Sequence, residues 1–297
     1  MDPGTPNGEQ PETAETKPAP VLVDVPGPSA LGGGRKRFFD LLYLISVNDF
    51  KKTYFGTVLG YLWSLLRPLA LFAVLLFVFT QIFRVGTDDV PFYPVLLLFN
   101  IVLISFFQEA TMASVMSVVN QESVVRKTHF PRLVIPLATV LTAIFNLCTN
   151  MVVVIIFMVA FGVAIVWTWL FFPLILLSLF VLTLACAMLL SSLYVRYRDV
   201  GIIWGVVVTA LFYGTPVLYP LATPPVPEQY IKWVLLNPLT PIFIQARHWI
   251  IDPNAPSAVE VAGGWLHLVP SITIFIAICV FAVWVFRREA PRIAEEL

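Results

Sequence analysis

Long apolar runs alternate with short charged gaps along this chain, and the length of each run sets what it can form. Runs over about residues 57–83, 92–119, 133–163, 169–195, 201–219 and 265–286 match the twenty or so apolar residues that cross a hydrocarbon core of about 30 Å. They predict six transmembrane helices. Pro68 can kink the first, and Arg67 beside it reads as lying near that span's inner end, able to snorkel. Between residues 220 and 251 the pattern changes. Pro220, Pro224, Pro225 and Pro227 precede a short apolar piece at 230–236, then Asn237 and Pro238, then a second piece at 239–251. At about 1.5 Å per residue neither piece crosses the core. They form either a re-entrant hairpin, whose backbone must be satisfied by protein or a water-filled cavity, or a pair of helices on the outer surface.

Two further segments break the apolar rhythm. From residue 38 to 55, Phe39, Tyr43, Val47, Phe50 and Tyr54 fall on one stripe at helical spacing, with Asp40, Asn48, Asp49, Lys51 and Lys52 interleaved. Such a helix lies in the headgroup plane or packs against neighbouring protein. Residues 120–132, Asn-Gln-Glu-Ser-Val-Val-Arg-Lys-Thr-His-Phe-Pro-Arg, form a charged island between the second and third runs. Glu122 stands four positions before Arg126, the favourable order for a helical ion pair, and Pro131 ends any helix there. The island is a short surface helix with a stiff exit, or a basic loop that sets topology.

Composition agrees: 59% of the 297 residues are hydrophobic and 12% charged, about half the charged share of a soluble domain. An all-α integral membrane protein is expected. Residues 1–34 are rich in Pro, Gly, Glu and Thr and read as a disordered tail without the apolar core of a signal peptide; 289–297 is a short charged tail. The net charge of zero gives no support to a nucleic-acid partner, and none is expected. The placing of the charges is informative. With both termini inside, Arg35, Lys36, Arg37, Lys51, Lys52, Arg126, Lys127, Arg132, Arg196, Arg198, Arg287, Arg288 and Arg292 fall on the cytoplasmic side, against Arg84, Lys232 and Arg247 outside. Every loop then obeys the positive-inside rule.

Candidate chemistry is sparse. The acids do not cluster, His129, His248 and His267 lack metal-ligand spacing, and Cys148, Cys186 and Cys279 are scattered through apolar runs. No metal site or catalytic group is expected. Glu109 is the one carboxylate well inside a span, where a charge costs about 2.5 to 3.5 kcal/mol on insertion scales. It faces a hydrophilic path or subunit interface, or it is neutral and bonded to a neighbouring helix through Asn146 or Asn150. No Gly-x-x-x-x-Gly-Lys-Ser/Thr motif occurs, so ATP cannot be bound by that route. Transport work would draw on a partner or a gradient. Trp63, Trp167, Trp169, Trp233 and Trp265 sit near span ends, the usual place of an interfacial belt. Phe72, Phe79, Phe212, Tyr213 and Tyr219 could instead line a path and stack on sugar rings.

Five stretches, in this order on this topology, resemble the permease subunits of ABC exporters for polysaccharides, O-antigens and teichoic acids. They are residues 51–68, Lys-Lys-Thr-Tyr-Phe-Gly-Thr-Val-Leu-Gly-Tyr-Leu-Trp-Ser-Leu-Leu-Arg-Pro; the island with its Phe-Pro-Arg at 130–132; Arg-Tyr-Arg-Asp-Val at 196–200; Thr-Pro-Val-Leu-Tyr-Pro at 215–220; and Leu-Asn-Pro-Leu-Thr-Pro at 236–241. The resemblance spans about residues 38–288. It implies a homodimer in the bacterial inner membrane with a channel between protomers, joined to two copies of a separate ATPase subunit that binds ATP and Mg, and moving a lipid-linked polysaccharide. It makes the island a coupling helix, with Glu122, Arg126, Lys127, His129, Phe130, Pro131 and Arg132 at the ATPase contact. It makes the segment with Phe39, Tyr43, Phe50, Lys51, Lys52 and Tyr54 a cytoplasmic gate, and the short helices after the fifth span an outer gate. Trp63, Phe72, Phe79, Glu109, Phe212, Tyr213 and Tyr219 are the candidate channel-lining residues. Arg67 is a departure, because many members carry a smaller or uncharged residue there. A drug or small-lipid exporter of the same architecture is the sister reading. A lipid-modifying enzyme or scramblase working without ATP is the reading from another class.

Overall fold

The computed structural model describes residues 34–54, 59–82, 90–122, 132–219, 221 and 227–289, and these residues form helices and connecting turns with no strand among them. In chain order the helices are α1 (Gly34–Tyr54), α2 (Leu62–Phe77, continued by a wider π turn to Ile82), α3 (Tyr93–Asn120), α4 (Val134–Ala160), α5 (Phe172–Arg196, entered through a 3-10 turn at Trp167–Phe171), α6 (Val200–Gly214), α7 (Glu228–Leu235), α8 (Leu239–Ala246, continued by a π turn to Ile251), α9 (Ala258–Ala262) and α10 (Trp265–Glu289). Five are long and apolar enough to cross a membrane: α2 with its π turn, α3, α4, α5 with its 3-10 entry, and α10.

Helix α3 is the central post. Its sequence is apolar on all sides, and a helix of that kind belongs inside a bundle. Leu96, Leu97, Leu98 and Phe99, four consecutive residues facing every direction, are all buried. α4 and α5 pack along it, with α2, α6 and the α8 hairpin filling the remaining sides. Pro94 stands in its first turn, where a missing N–H leaves nothing unpaired.

Prolines shape the other elements. Pro68 lies inside α2 and supplies no N–H to the carbonyl of Ser64, four residues earlier. The side-chain amide of Asn150 on α4 donates to that carbonyl instead, at 3.2 Å. The fifth apolar run does not remain helical to residue 219. α6 stops at Gly214, because Pro216 pushes the residue before it into extended geometry, and Thr215 has φ −95° and ψ 147°. Residues 215–219 continue as buried irregular backbone whose carbonyls are met from α3. Asn100 donates to Pro216 O and Val217 O, each at 3.3 Å, and the Tyr93 hydroxyl donates to Leu218 O at 2.9 Å.

The two short pieces after that turn differ from each other. α7 presents Tyr230, Lys232 and Trp233 outward, whereas α8 buries Leu239, Ile242, Phe243 and Ala246 in the main core and Ile244 in a smaller cluster with Leu221, Leu235, Ala258 and Leu268. The Asn237 side chain joins them to the end of α6, donating to the Thr215 hydroxyl at 2.8 Å and accepting from Leu239 N–H at 3.0 Å. Trp169 Nε1 donates to Ile250 O at 3.0 Å and anchors the following π turn.

Replacing Tyr93 by Phe removes one hydroxyl and leaves the buried Leu218 carbonyl without its donor. The expected loss is about 1–3 kcal/mol of stability. A thermal melt of the purified protein checks it, with Tyr213→Phe, on an exposed ring, expected to leave the melting temperature unchanged.

Candidate functional site

A cavity of about 1110 Å³ opens among α1, α2, α3, α4 and α6. Its walls mix apolar side chains with polar ones that would be costly on a lipid-facing surface. Its entrance carries Asp49, Lys52 and Gln121; its interior carries Trp63, Ser64, Arg67, Gln108, Glu109, Asn146 and Asn150. Gln108 reaches across to α6, donating to Val208 O at 3.5 Å.

Glu109 has both a partner on a neighbouring helix and a place on the cavity wall. Its carboxylate accepts a hydrogen bond from the Asn146 amide on α4. It also faces the cavity, open to water although protein surrounds most of it. Arg67 supplies a third element, since its positive charge acts on the Glu109 carboxylate. Arg67 lies far along α4 from the end at which that helix begins. Ser64, one turn earlier, is bonded to Asn150, which is sixteen residues into α4, or about 24 Å along it at 1.5 Å per residue. Arg67 therefore lies beyond the midpoint of α4, well away from the α4 start. α2 begins this far in because α1 has already run beside the first half of α4.

That packing settles how α1 is used. Leu42 is buried against Val134 and Ala138 of α4, with Phe38, Leu41 and Ile45 beside it. The Ser46 hydroxyl donates to Leu42 O at 2.7 Å and makes a second contact to Ala138 O at 3.2 Å, and Thr142 donates to Ser46 O at 3.2 Å. The buried face is thus displaced from the Phe39–Tyr43–Val47 stripe. Phe39 and Tyr43 are exposed, and so are Lys51 and Lys52. Phe50 turns inward to rings of Tyr61 and Phe145, with centroids 5.0 and 5.7 Å away. The Tyr54 side chain lies outside the described residues.

Of the remaining residues singled out from the sequence, Trp63 and Glu109 share the cavity. Phe72 and Phe212 do not; both are buried in the bundle core, Phe72 edge-on to Phe157 at 5.7 Å and Phe212 edge-on to the exposed Tyr213 at 5.2 Å. Phe79 is half-buried in the π turn of α2, and Tyr219 is half-buried beside the α8 hairpin. Glu122 and Arg132 bracket residues 123–131, so Arg126, Lys127, His129, Phe130 and Pro131 lie outside the described residues. One link toward the island is visible. Gln121 at the end of α3 donates to the Asp49 carboxylate at 3.1 Å, joining α1 to the stretch from which the island leaves.

Sequence reasoning passed over Asn100, Tyr93, Gln108 and the depth of Arg67. A signal existed for the first two: Pro216 interrupts an apolar run and must leave carbonyls for some other donor to satisfy.

Residues 40–250 match the family model described as "ABC-2 type transporter". The chain belongs to that family. It is an integral membrane transporter permease. Among curated relatives, it is 30% identical over 211 residues to an O-antigen export system permease protein RfbA of Klebsiella pneumoniae, covering 70% of this chain and 79% of the relative. A second Klebsiella pneumoniae protein of that name is 30% identical over 215 residues, covering 72% and 81%. A Myxococcus xanthus protein of the same name is 25% identical over 218 residues, covering 73% and 83%. The matched region takes in α2 to α6, and so every span that lines the cavity.

At the permease's cavity entrance, burial pushes the Asp49 carboxyl above its ordinary range, against the opposing pull of Lys52, 4.0 Å away, and the Gln121 hydrogen bond. A raised folded-state pKa means that ionising the group costs stability, a cost absent below the unfolded-state pKa, growing as the pH rises and full above the folded-state pKa. Asp49→Asn keeps an acceptor for Gln121 and removes that cost. It is expected to raise the melting temperature at neutral pH, with the gain vanishing as the pH falls and Asp49 takes up its proton. Melts at several pH values check the trend.

Proposed function

We propose that this permease exports a lipid-linked cell-envelope glycan across the bacterial inner membrane, powered by a separate ATPase subunit. Its relatives are named O-antigen export permeases and match it over some four fifths of their length. The observation that carries the reading is the polar cavity. A space of about 1110 Å³ whose amides and hydroxyls are interspersed with apolar side chains suits a hydroxyl-rich chain, which needs hydrogen-bond partners along its passage through the membrane.

In this reading the protein has six crossings, the fifth made by α6 and the irregular residues 215–219. α7 and α8 form the re-entrant outer hairpin, and both termini are cytoplasmic. Two copies assemble around the channel. Supporting this, two of the helices that flank the cavity bury little within one protomer: Leu62, Trp63, Val74 and Phe77 of α2 and Ile202, Ile203 and Val206 of α6 are exposed. ATP and Mg belong to two partner ATPase subunits. Residues 120–132 couple to them, with Glu122, Arg126, Lys127 and Phe130 at the contact, and α1 admits the substrate at the cavity entrance through Lys51, Lys52 and the Phe39 and Tyr43 rings.

Reconstitution tests the reading. Lipid-linked glycan is expected to cross a vesicle membrane only when permease, ATPase and ATP are all present. Transport or modification of lipid by the permease alone would overturn it. Reversing charge at the island, Arg126→Glu with Lys127→Glu, is expected to weaken ATPase co-purification about tenfold or more, with membrane insertion and dimerisation unchanged. Undiminished ATPase capture would remove the coupling role.

A further inference from the structure

Arg67 has no part in the export scheme so far. A permanent positive charge within a membrane-spanning helix is expensive and marks a functional site by default. It is not consumed in structure, for its side chain is exposed within the cavity. The structural duty at that point of α2 is met by others: Pro68 opens the helix and Asn150 closes the resulting gap.

Three further observations give Arg67 a ligand class. The first is the neighbouring Glu109, fastened on α3 by the Asn146 amide and facing the same cavity under the influence of the Arg67 charge. The second is that the pairing recurs. At the entrance Lys52 has Asp49 at 4.0 Å, and Gln121, which holds Asp49, stands twelve residues along α3 from Glu109, about 18 Å away at 1.5 Å per residue. Each of these cations thus shares its part of the cavity with a carboxyl group, Lys52 with Asp49 and Arg67 with Glu109. The third is Trp63, one helical turn before Arg67 and on the same cavity wall.

A lone arginine in a protein-walled cavity would hold an oxyanion too firmly for transport, since a conducting site must also let its cargo leave. A resident carboxylate solves that problem by making arrival an exchange of one oxyanion for another. We infer that Arg67 docks an anionic oxygen group carried on the substrate, either the phosphate of a lipid carrier or the carboxylate of an acidic sugar, and that Glu109 is the competing anion which this group displaces. The guanidinium fork suits both groups. The export reading is needed only to name the bearer of the anion.

The test uses the full-length permease in phosphatidylcholine nanodiscs without ATPase. Inorganic pyrophosphate and glucuronate are titrated separately, with Trp63 fluorescence as reporter and Trp63→Phe as blank. Wild type is expected to bind weakly, Glu109→Gln about tenfold more tightly, Arg67→Lys more weakly than wild type, and Arg67→Gln not at all. If Arg67→Gln fails to fold, the comparison of Glu109→Gln with wild type and with Arg67→Lys decides. Preference for pyrophosphate assigns the site to the lipid carrier, and preference for glucuronate to the glycan. Equal binding by wild type and Glu109→Gln, binding retained in a folded Arg67→Gln, or no binding of either anion to any variant overturns the inference. Such a failure would leave ATP-dependent glycan export standing. Loss of ATP-dependent export with anion binding intact would sink the export reading alone.

Discussion

A peptide carbonyl without a donor is costly wherever water is absent, and this bundle contains several that its own helices cannot satisfy. Proline creates them. Pro68 frees the Ser64 carbonyl, and Pro216 ends α6 and leaves a stretch of irregular backbone. Each break is repaired by a side chain on one of the two most regular helices, Asn150 on α4 or Asn100 and Tyr93 on α3. The irregular elements are consequently tied to the central pair, and their positions are set by those bonds. The short hairpin follows the same rule at one remove, through Asn237 and Thr215.

The polar residues that make these repairs also create the cavity. Asn146 and Asn150 lie one turn apart on α4; one holds Glu109, the other holds α2. Because α2 is fixed there, Arg67 is brought level with the middle of the bundle and beside Glu109. Polar groups that would each be costly facing lipid become tolerable together, in a space reached by water. Structural satisfaction and candidate transport chemistry thus share the same few amides.

Helix α1 connects this cavity to the charged island. It is held on α4 through Leu42 and Ser46 and on the end of α3 through Asp49 and Gln121. A displacement of the island end of α3 would act directly on Asp49, at the cavity entrance. That arrangement suits the proposed coupling, in which motion of a partner reaches the substrate path through residues 120–132.

Much of this was legible in the chain. Run length and composition determined the helical membrane class and placed the long spans, because crossing a hydrocarbon core demands about twenty apolar residues whatever the neighbours do. The five motif stretches pointed to the permease family, and the lone acid at residue 109 stood out because charge in an apolar run is expensive. Tertiary structure decided the rest. The stripe on α1 pointed to Phe39 and Tyr43, but contact with α4 chose Leu42 and Ser46 as the buried face, since several apolar faces compete on that helix and only a neighbour selects among them. The depth of Arg67 depended on where α2 starts, which the Asn150 bond sets and sequence spacing cannot. Aromatic residues looked equally suited to path and core; packing buried Phe72 and Phe212 and left Trp63 in the cavity, because periodicity describes one helix and a cavity belongs to several.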